Sequence, residues 1–225
     1  MRKLKFIFIL TSIIFILSAK HSYSLNLPKL FNFNKKNALG EWQEKIFKNR
    51  VLYIVESKQE GGRLLAKSKK ACSGLFYRMK FDPKKYPMIS WQWKVIEFPN
   101  KSAAKDTQGG WLERDDYAAR VYVIFPSWIF TNIKCIEYVW DENLPEGKIM
   151  TSPYFANIKV IVAESGKQNL DQWVFEERNI YEDYKRTFGR KPGYAGAIAL
   201  MTDSDNTLSS AEALYKEIKV GYKNE

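Results

Sequence analysis

Ser90-Trp91-Gln92-Trp93-Lys94-Val95 alternates residue by residue. Trp91, Trp93 and Val95 fall on one side, and Ser90, Gln92 and Lys94 on the other. This is the two-residue period of a strand with one face buried and one face wet, as in an antiparallel sheet. Working outward, comparable segments occur at 51–56, 63–68, 74–81, 117–125, 135–140, 158–163, 172–179, 193–202 and 211–222. Turn formers separate many of them: Gly61-Gly62, Asp82-Pro83, Pro87, the stretch 145–147, Ser165-Gly166 and the stretch 189–193. One stretch, 180–188, reads as a helix, with Asn179 placed to cap its start and Gly189 to end it. About ten short strands with one or two short helices predict a mainly β domain, an antiparallel jelly-roll-like β-sandwich. The repeated crossover helices of a parallel α/β fold are missing. Two long connections, 97–116 and 141–157, interrupt the strands, and loops of that length in a compact domain are often functional.

The start of the chain sets the expected compartment. Arg2, Lys3 and Lys5 precede an uncharged apolar run over 6–17, and Ser22-Tyr23-Ser24 ends the polar stretch that follows. The run is too short to span a bilayer, so 1–24 reads as a cleavable signal peptide and 25–225 as one domain. The expected location is periplasmic or secreted, with no transmembrane segment after cleavage. Removing Arg2, Lys3, Lys5 and Lys20 reduces the net charge of +11 by four. The remaining basicity suits anionic surfaces such as phospholipid headgroups or acidic glycans, although the chain's general richness in lysine, asparagine and isoleucine is the favoured account of it; no nucleic-acid partner is expected. His21, the single histidine, leaves with the segment. That excludes Ser-His-Asp and Cys-His catalysis and histidine-bound zinc from the mature chain. Cys72 and Cys135 are the two cysteines. In an oxidising compartment they are candidates for a disulfide, and two separate buried thiols are the alternative. Two thiolates without histidines are a poor ligand set, so no metal and no cofactor are expected.

Three stretches carry polar chemistry. In Asp115-Asp116-Tyr117-Ala118-Ala119-Arg120-Val121-Tyr122-Val123, alternation turns Tyr117, Ala119, Val121 and Val123 to the core. Arg120 and Tyr122 then share the other face, where a guanidinium suits a carboxylate or sugar hydroxyls. An internal ion pair to Asp115 or Asp116 is the competing role. In Arg178-Asn179-Ile180-Tyr181-Glu182-Asp183-Tyr184, Asp183 falls in the first turns of the predicted helix, where it complements the dipole, and structural fastening is favoured. Met201-Thr202-Asp203-Ser204-Asp205-Asn206-Thr207 is rich in oxygen ligands, yet Leu208 and Leu214 stand where an EF-hand needs Gly and Glu. Turn building by Asp and Asn is the simpler account.

Other patterns say less. Asp115/Asp116, Glu137/Asp141 and Asp203/Asp205 are the carboxylate sets on which glycoside hydrolysis could draw. The strings Ser102-Ala103-Ala104-Lys105 and Ser204-Asp205-Asn206 echo penicillin-recognising motifs without the K-T-G or the helix they need. Trp111 and Trp128 lie outside clear alternation and could face a sugar ring, whereas Trp91, Trp93 and Trp173 have core spacing.

Taken in order, the 115–123 string, Tyr138-Val139-Trp140, Arg178-Asn179 with Asp183-Tyr184 and Phe188-Gly189, and the 201–207 string resemble a bacterial exported family, domain of unknown function family 3047. The resemblance runs from Trp42 to Tyr222 and departs at Lys216-Glu217, where the family tends to Gly-Asp. It implies a single β-rich domain similar to galactose-binding or carbohydrate-module sandwiches, and brings no established activity. It marks Asp115, Asp116, Arg120, Arg178, Asp183, Asp203, Asp205 and Asn206 as the motif positions. The expected function is non-catalytic binding of a glycan or other polar envelope ligand, with Arg120, Trp140 and the 203–206 loop as contacts. A carboxylate-dependent glycan hydrolase or lyase and a structural partner in an envelope complex are the alternatives.

Overall fold

The computed structural model describes residues 27–57, 61–101 and 115–223. The predicted signal peptide, the Ser102/Lys105 string and Trp111 lie outside them. Among the described residues, thirteen strands form two facing sheets. The first has the order β11 (Val174–Asn179), β6 (Met88–Glu97), β13 (Ser210–Tyr222), β4 (Arg63–Lys69), β3 (Leu52–Glu56). β13 is long enough to pair with β4 along its first half and with β1 (Lys29–Phe31) near its end. The second sheet runs β2 (Trp42–Lys48), β5 (Cys72–Phe81), β12 (Ala195–Asp203), β7 (Arg120–Phe125), β8 (Lys134–Asp141), β10 (Ile158–Ser165), β9 (Ile149–Thr151). Its pairs are antiparallel except β8 with β10. This is the mainly β sandwich expected from the alternating pattern. No helix among the described residues is long and apolar enough to cross a membrane.

The opening hexapeptide lies in β6, and its alternation is met from Trp91 onward: Trp91, Trp93 and Val95 are fully buried and Gln92 and Lys94 half-buried on the far side, while Ser90, expected on the wet face, is buried. The two tryptophans bridge the sheets. Trp91 packs on Tyr138 with ring centroids 5.3 Å apart, and Trp93 on Trp140 at 6.0 Å, both partners belonging to β8. Trp173 departs from its core spacing. It is half-buried on the wet side, with the Lys216 ammonium 4.3 Å from its ring, because it precedes β11 and is not held to that strand's alternation.

The α-helix found among the described residues, α1 (Ile180–Phe188), stands as predicted. The Asn179 side chain accepts a hydrogen bond from the Glu182 amide at 3.0 Å, and Gly189 closes the helix at φ +68°, a left-handed value that suits glycine. Ile180 and Tyr184 bury the inner face of α1, and Tyr184 meets Phe125 at the end of β7 at 4.6 Å. Asn179→Ala is expected to cost about 1 kcal/mol by orphaning that amide, read as a lower midpoint in urea unfolding.

The two cysteines are free. Cys72 begins β5 and Cys135 lies in β8, with β12 and β7 between them. Three strand spacings of about 4.8 Å put their backbones far beyond the roughly 7 Å that a disulfide tolerates. The candidate bridge is therefore ruled out in favour of the alternative, two separate thiols, and burial raises both well above the usual range.

Candidate functional site

β7 places the central residue. Val121, Val123 and Phe125 point into the main core, so Arg120 and Tyr122 point out of the other face of the seven-stranded sheet. Arg120 is nevertheless only 4% exposed. Its guanidinium grips Asp203 of β12 with Nε to Oδ1 at 2.9 Å and Nη2 to Oδ2 at 2.6 Å. Nη1 donates to Glu137 of β8 at 2.7 Å and to the Tyr122 hydroxyl at 3.2 Å, and Nη2 also donates to the Asp115 carbonyl at 2.5 Å. All the side-chain nitrogens are engaged, which fits a buried guanidinium. Burial works against its charge, and Asp203, Tyr122 and Glu137 more than offset that, holding its pKa well above the usual value.

The segment leading into β7 closes over this pair. The expected strand from Tyr117 begins only at Arg120, and the bend puts Tyr117 on the outer side, not in the main core. Its ring lies 4.6 Å from the Arg120 guanidinium carbon and 4.0 Å from the Lys101 ammonium, a cation on each of two contacts. Asp116 accepts from the Asn206 amide at 3.2 Å, the Thr207 amide at 2.6 Å and the Thr207 hydroxyl at 2.7 Å. The 203–207 stretch is thus a turn anchored on Asp116, and Ser204 adds a bond between hydroxyls to Ser68 at 2.7 Å. Six of the motif positions (Asp115, Asp116, Arg120, Asp203, Asp205 and Asn206) therefore meet at one end of the sheet.

Two buried polar atoms in this floor have no hydrogen-bond partner among the described residues: Asp115 Oδ1, whose contact with the Arg120 guanidinium is 4.0 Å long, and the Tyr117 hydroxyl oxygen. Burial, opposed by Arg120 and reinforced by Glu137 and Asp116, pushes the Asp115 carboxyl up to about 8. It therefore carries a proton at neutral pH. Above the floor sits a half-buried rim. Lys48 reaches the Asp205 carboxylate at 3.3 Å and its carbonyl at 2.9 Å, and the Tyr154 hydroxyl donates to Asn206 Oδ1 at 2.9 Å. Lys101, behind Tyr117, pairs with Asp141 at 2.6 Å.

Lys48, Lys101 and Tyr154 carried no sequence signal, since each comes from a segment remote from the motifs. Glu137 was readable only as one acid of a weak pair; the alternation of β8 sets it beside Arg120.

The other motif positions go elsewhere. Arg178 holds Asp183 with two bonds, at 3.0 and 2.8 Å, and the Tyr138 hydroxyl donates to Asp183 at 2.9 Å. Tyr138 points into the core while its neighbour Glu137 points outward to Arg120, so the two clusters occupy opposite faces of one sheet. Arg178 and Asp183 fasten α1 to the sandwich. Trp140, expected as a stacking contact, is corrected: it is fully buried in the core, with Nε1 bonded to the Gly166 carbonyl at 3.0 Å, and has no free face for a sugar. Trp128, by contrast, is fully exposed, at the far end of β7. Cys72, Asp203 and Asp205 each offer an atom within 4.8 Å of the others. A cation there would have to displace Arg120 from Asp203 and Lys48 from Asp205, and the raised thiol stays protonated, so this set does not fit a metal.

Residues 40–219 match the family described as "Protein of unknown function (DUF3047)". No curated protein matches the chain. Among solved structures it is similar to the family 11 carbohydrate-binding module of the cellulosomal cellulase Lic26A-Cel5E of Clostridium thermocellum, at 12% identity and a TM-score of 0.48 over 90% of this chain and 98% of that one. It is also similar to the family 30 carbohydrate-binding module of the Clostridium thermocellum cellulase Cel9D-Cel44B, at 8% identity and a TM-score of 0.45 over 82% of this chain and 93% of that one. A thermostable cellulase derived from Cel12A of Rhodothermus marinus gives 8% identity and a TM-score of 0.48 over 86% of this chain and 95% of that one.

Proposed function

The chain belongs to the DUF3047 family, and we propose that it is an exported, non-catalytic binding module for a hydroxyl-rich ligand such as an envelope glycan. The ligand would sit on the rim of Lys48, Tyr154, Asp205 and Asn206, above the Arg120–Asp203 floor. The observation that carries this reading is the pair of buried, unpartnered atoms in the floor, Asp115 Oδ1 and the Tyr117 hydroxyl. Leaving such groups unmet costs about 1–3 kcal/mol each. Both atoms have almost no exposed surface, so a ligand with several hydroxyls supplies the missing partners only where the rim above them parts to admit it or a bridging water.

The same geometry weighs against hydrolysis. A glycosidase needs two carboxyl groups free to flank a bond. Here Asp203 has both oxygens on Arg120, and Glu137 is held by the same guanidinium.

Calorimetric titration of the purified protein with a panel of neutral and acidic envelope polysaccharides tests the reading. At least one is expected to bind, and Asn206→Ala is expected to weaken it about tenfold, the equivalent of one rim hydrogen bond of about 1.4 kcal/mol. Silence across the panel would overturn it.

A further inference from the structure

The end of β7 remote from Arg120 carries a second arrangement, one that no motif announced. Beyond Phe125, a half-open hollow of about 250 Å³ lies between the turn after β7, the start of β8 and the segment following α1. Its polar lining includes Lys134, Arg190, Ser127, Asn132, Tyr184 and Tyr194. Lys134, only 8% exposed, is among the residues that line the hollow. Its ammonium has one long hydrogen bond, to Asn157 Oδ1 at 3.4 Å, and lies 5.4 Å from the Phe188 ring. The charges it feels are those of Arg190 and Lys159, both of its own sign. Burial first, then Arg190 and Lys159, lower its pKa. A second hollow, lined by Lys185, Gly189, Arg190 and Lys191, shares Arg190 with the first, so the basic surface is continuous. A cation set among cations is stabilised when an anion joins it.

We propose that this hollow binds the phosphate group of an anionic ligand. Lys134 and Arg190 supply charge, and Ser127, Tyr184, Tyr194 and Asn132, all of them lining residues, carry the hydroxyl and amide donors. That distribution suits a tetrahedral anion with three free oxygens better than a planar carboxylate. The phosphate can come from a phospholipid headgroup or from a free phosphate ester. Trp128 and Ile129, 106% and 61% exposed, directly follow the lining residue Ser127, and Tyr194 on its wall is 55% exposed. Aromatic and apolar side chains beside basic ones are what a bilayer interface accepts. The site is independent of the glycan rim, since it lies at the opposite end of the strand.

The test uses the whole mature protein and two probes. Inorganic phosphate is titrated calorimetrically, and co-sedimentation is measured with phosphatidylcholine vesicles with and without phosphatidic acid. Binding of either phosphate source is expected, weakened about tenfold by Lys134→Met and by Arg190→Gln. Arg190 is on the surface, so that variant keeps the test alive if Lys134→Met folds poorly. A headgroup site shows as phosphatidic acid-dependent sedimentation that Trp128→Ser also weakens, and a free-phosphate site as calorimetric binding indifferent to Trp128→Ser. The proposal falls if neither probe binds. It falls equally if Lys36→Ala, at an exposed lysine away from the hollow, weakens binding as much as Lys134→Met.

Discussion

Arg120→Met is expected to destabilise the protein by about 3–5 kcal/mol, seen as a large drop in the urea midpoint or as failure to fold. The replacement keeps the length of the side chain and removes the charge. Asp203 and Glu137, both buried, then lose their shared counter-ion, and Asp203 loses two hydrogen bonds at once. Arg120→Lys is expected to recover only part of the loss, because an ammonium cannot hold both oxygens of Asp203 in the same geometry. Combining Arg120→Met with Asp203→Asn should cost clearly less than the sum of the single changes, a coupling of about 1–3 kcal/mol. A single-variant loss below about 1 kcal/mol would mean that the cluster is not the lock its geometry describes.

The second large effect concerns pH. In the folded protein Asp115 titrates at about 8, far above an ordinary aspartate. A raised carboxyl means that the folded state holds a proton the unfolded state has already released. This contribution to stability is full below the unfolded value near 4, declines as pH rises, and is gone above about 8. Across that window the rise from near 4 to about 8 corresponds to roughly 5 kcal/mol. Glu176, raised by burial to about 8 as well, adds in the same direction. Thermal melts from pH 5 to 9 should therefore show the wild type losing stability on the alkaline side. Asp115→Asn, which cannot ionise, should show a flatter profile and be the more stable protein at pH 9. Parallel profiles for the two proteins would contradict the assignment.

The legible part of the fold was whatever local pattern dictates. Trp91 to Val95 announced a strand because burial there follows parity, Ser90 being buried against it, and α1 was readable because Asn179 and Gly189 act within one turn of it. β1 and β9, three residues each, are too short to show a period. β2, with the sequence WQEKIFK, places polar and apolar residues on both faces, so its pattern is mixed. The candidate site was legible as residue types and not as partners. Arg120 and Asp203 are 83 positions apart and meet through the pairing of β7 with β12. Alternation alone sent Tyr117 to the core; the pull of two cations on its ring and the bond from its amide to Asp203 bend the chain the other way. Trp140 was misjudged because its parity in β8 is that of Tyr138, which faces inward.

The rim above Arg120 as the ligand's seat is tested most directly by amide chemical-shift mapping on the isotope-labelled mature protein, titrated with the tightest-binding glycan of the panel. The account predicts that the largest shifts cluster on Lys48, Tyr154, Asp205 and Asn206 and on Tyr117 beneath them. Shifts concentrated on another surface, with these amides unmoved at saturation, would contradict it.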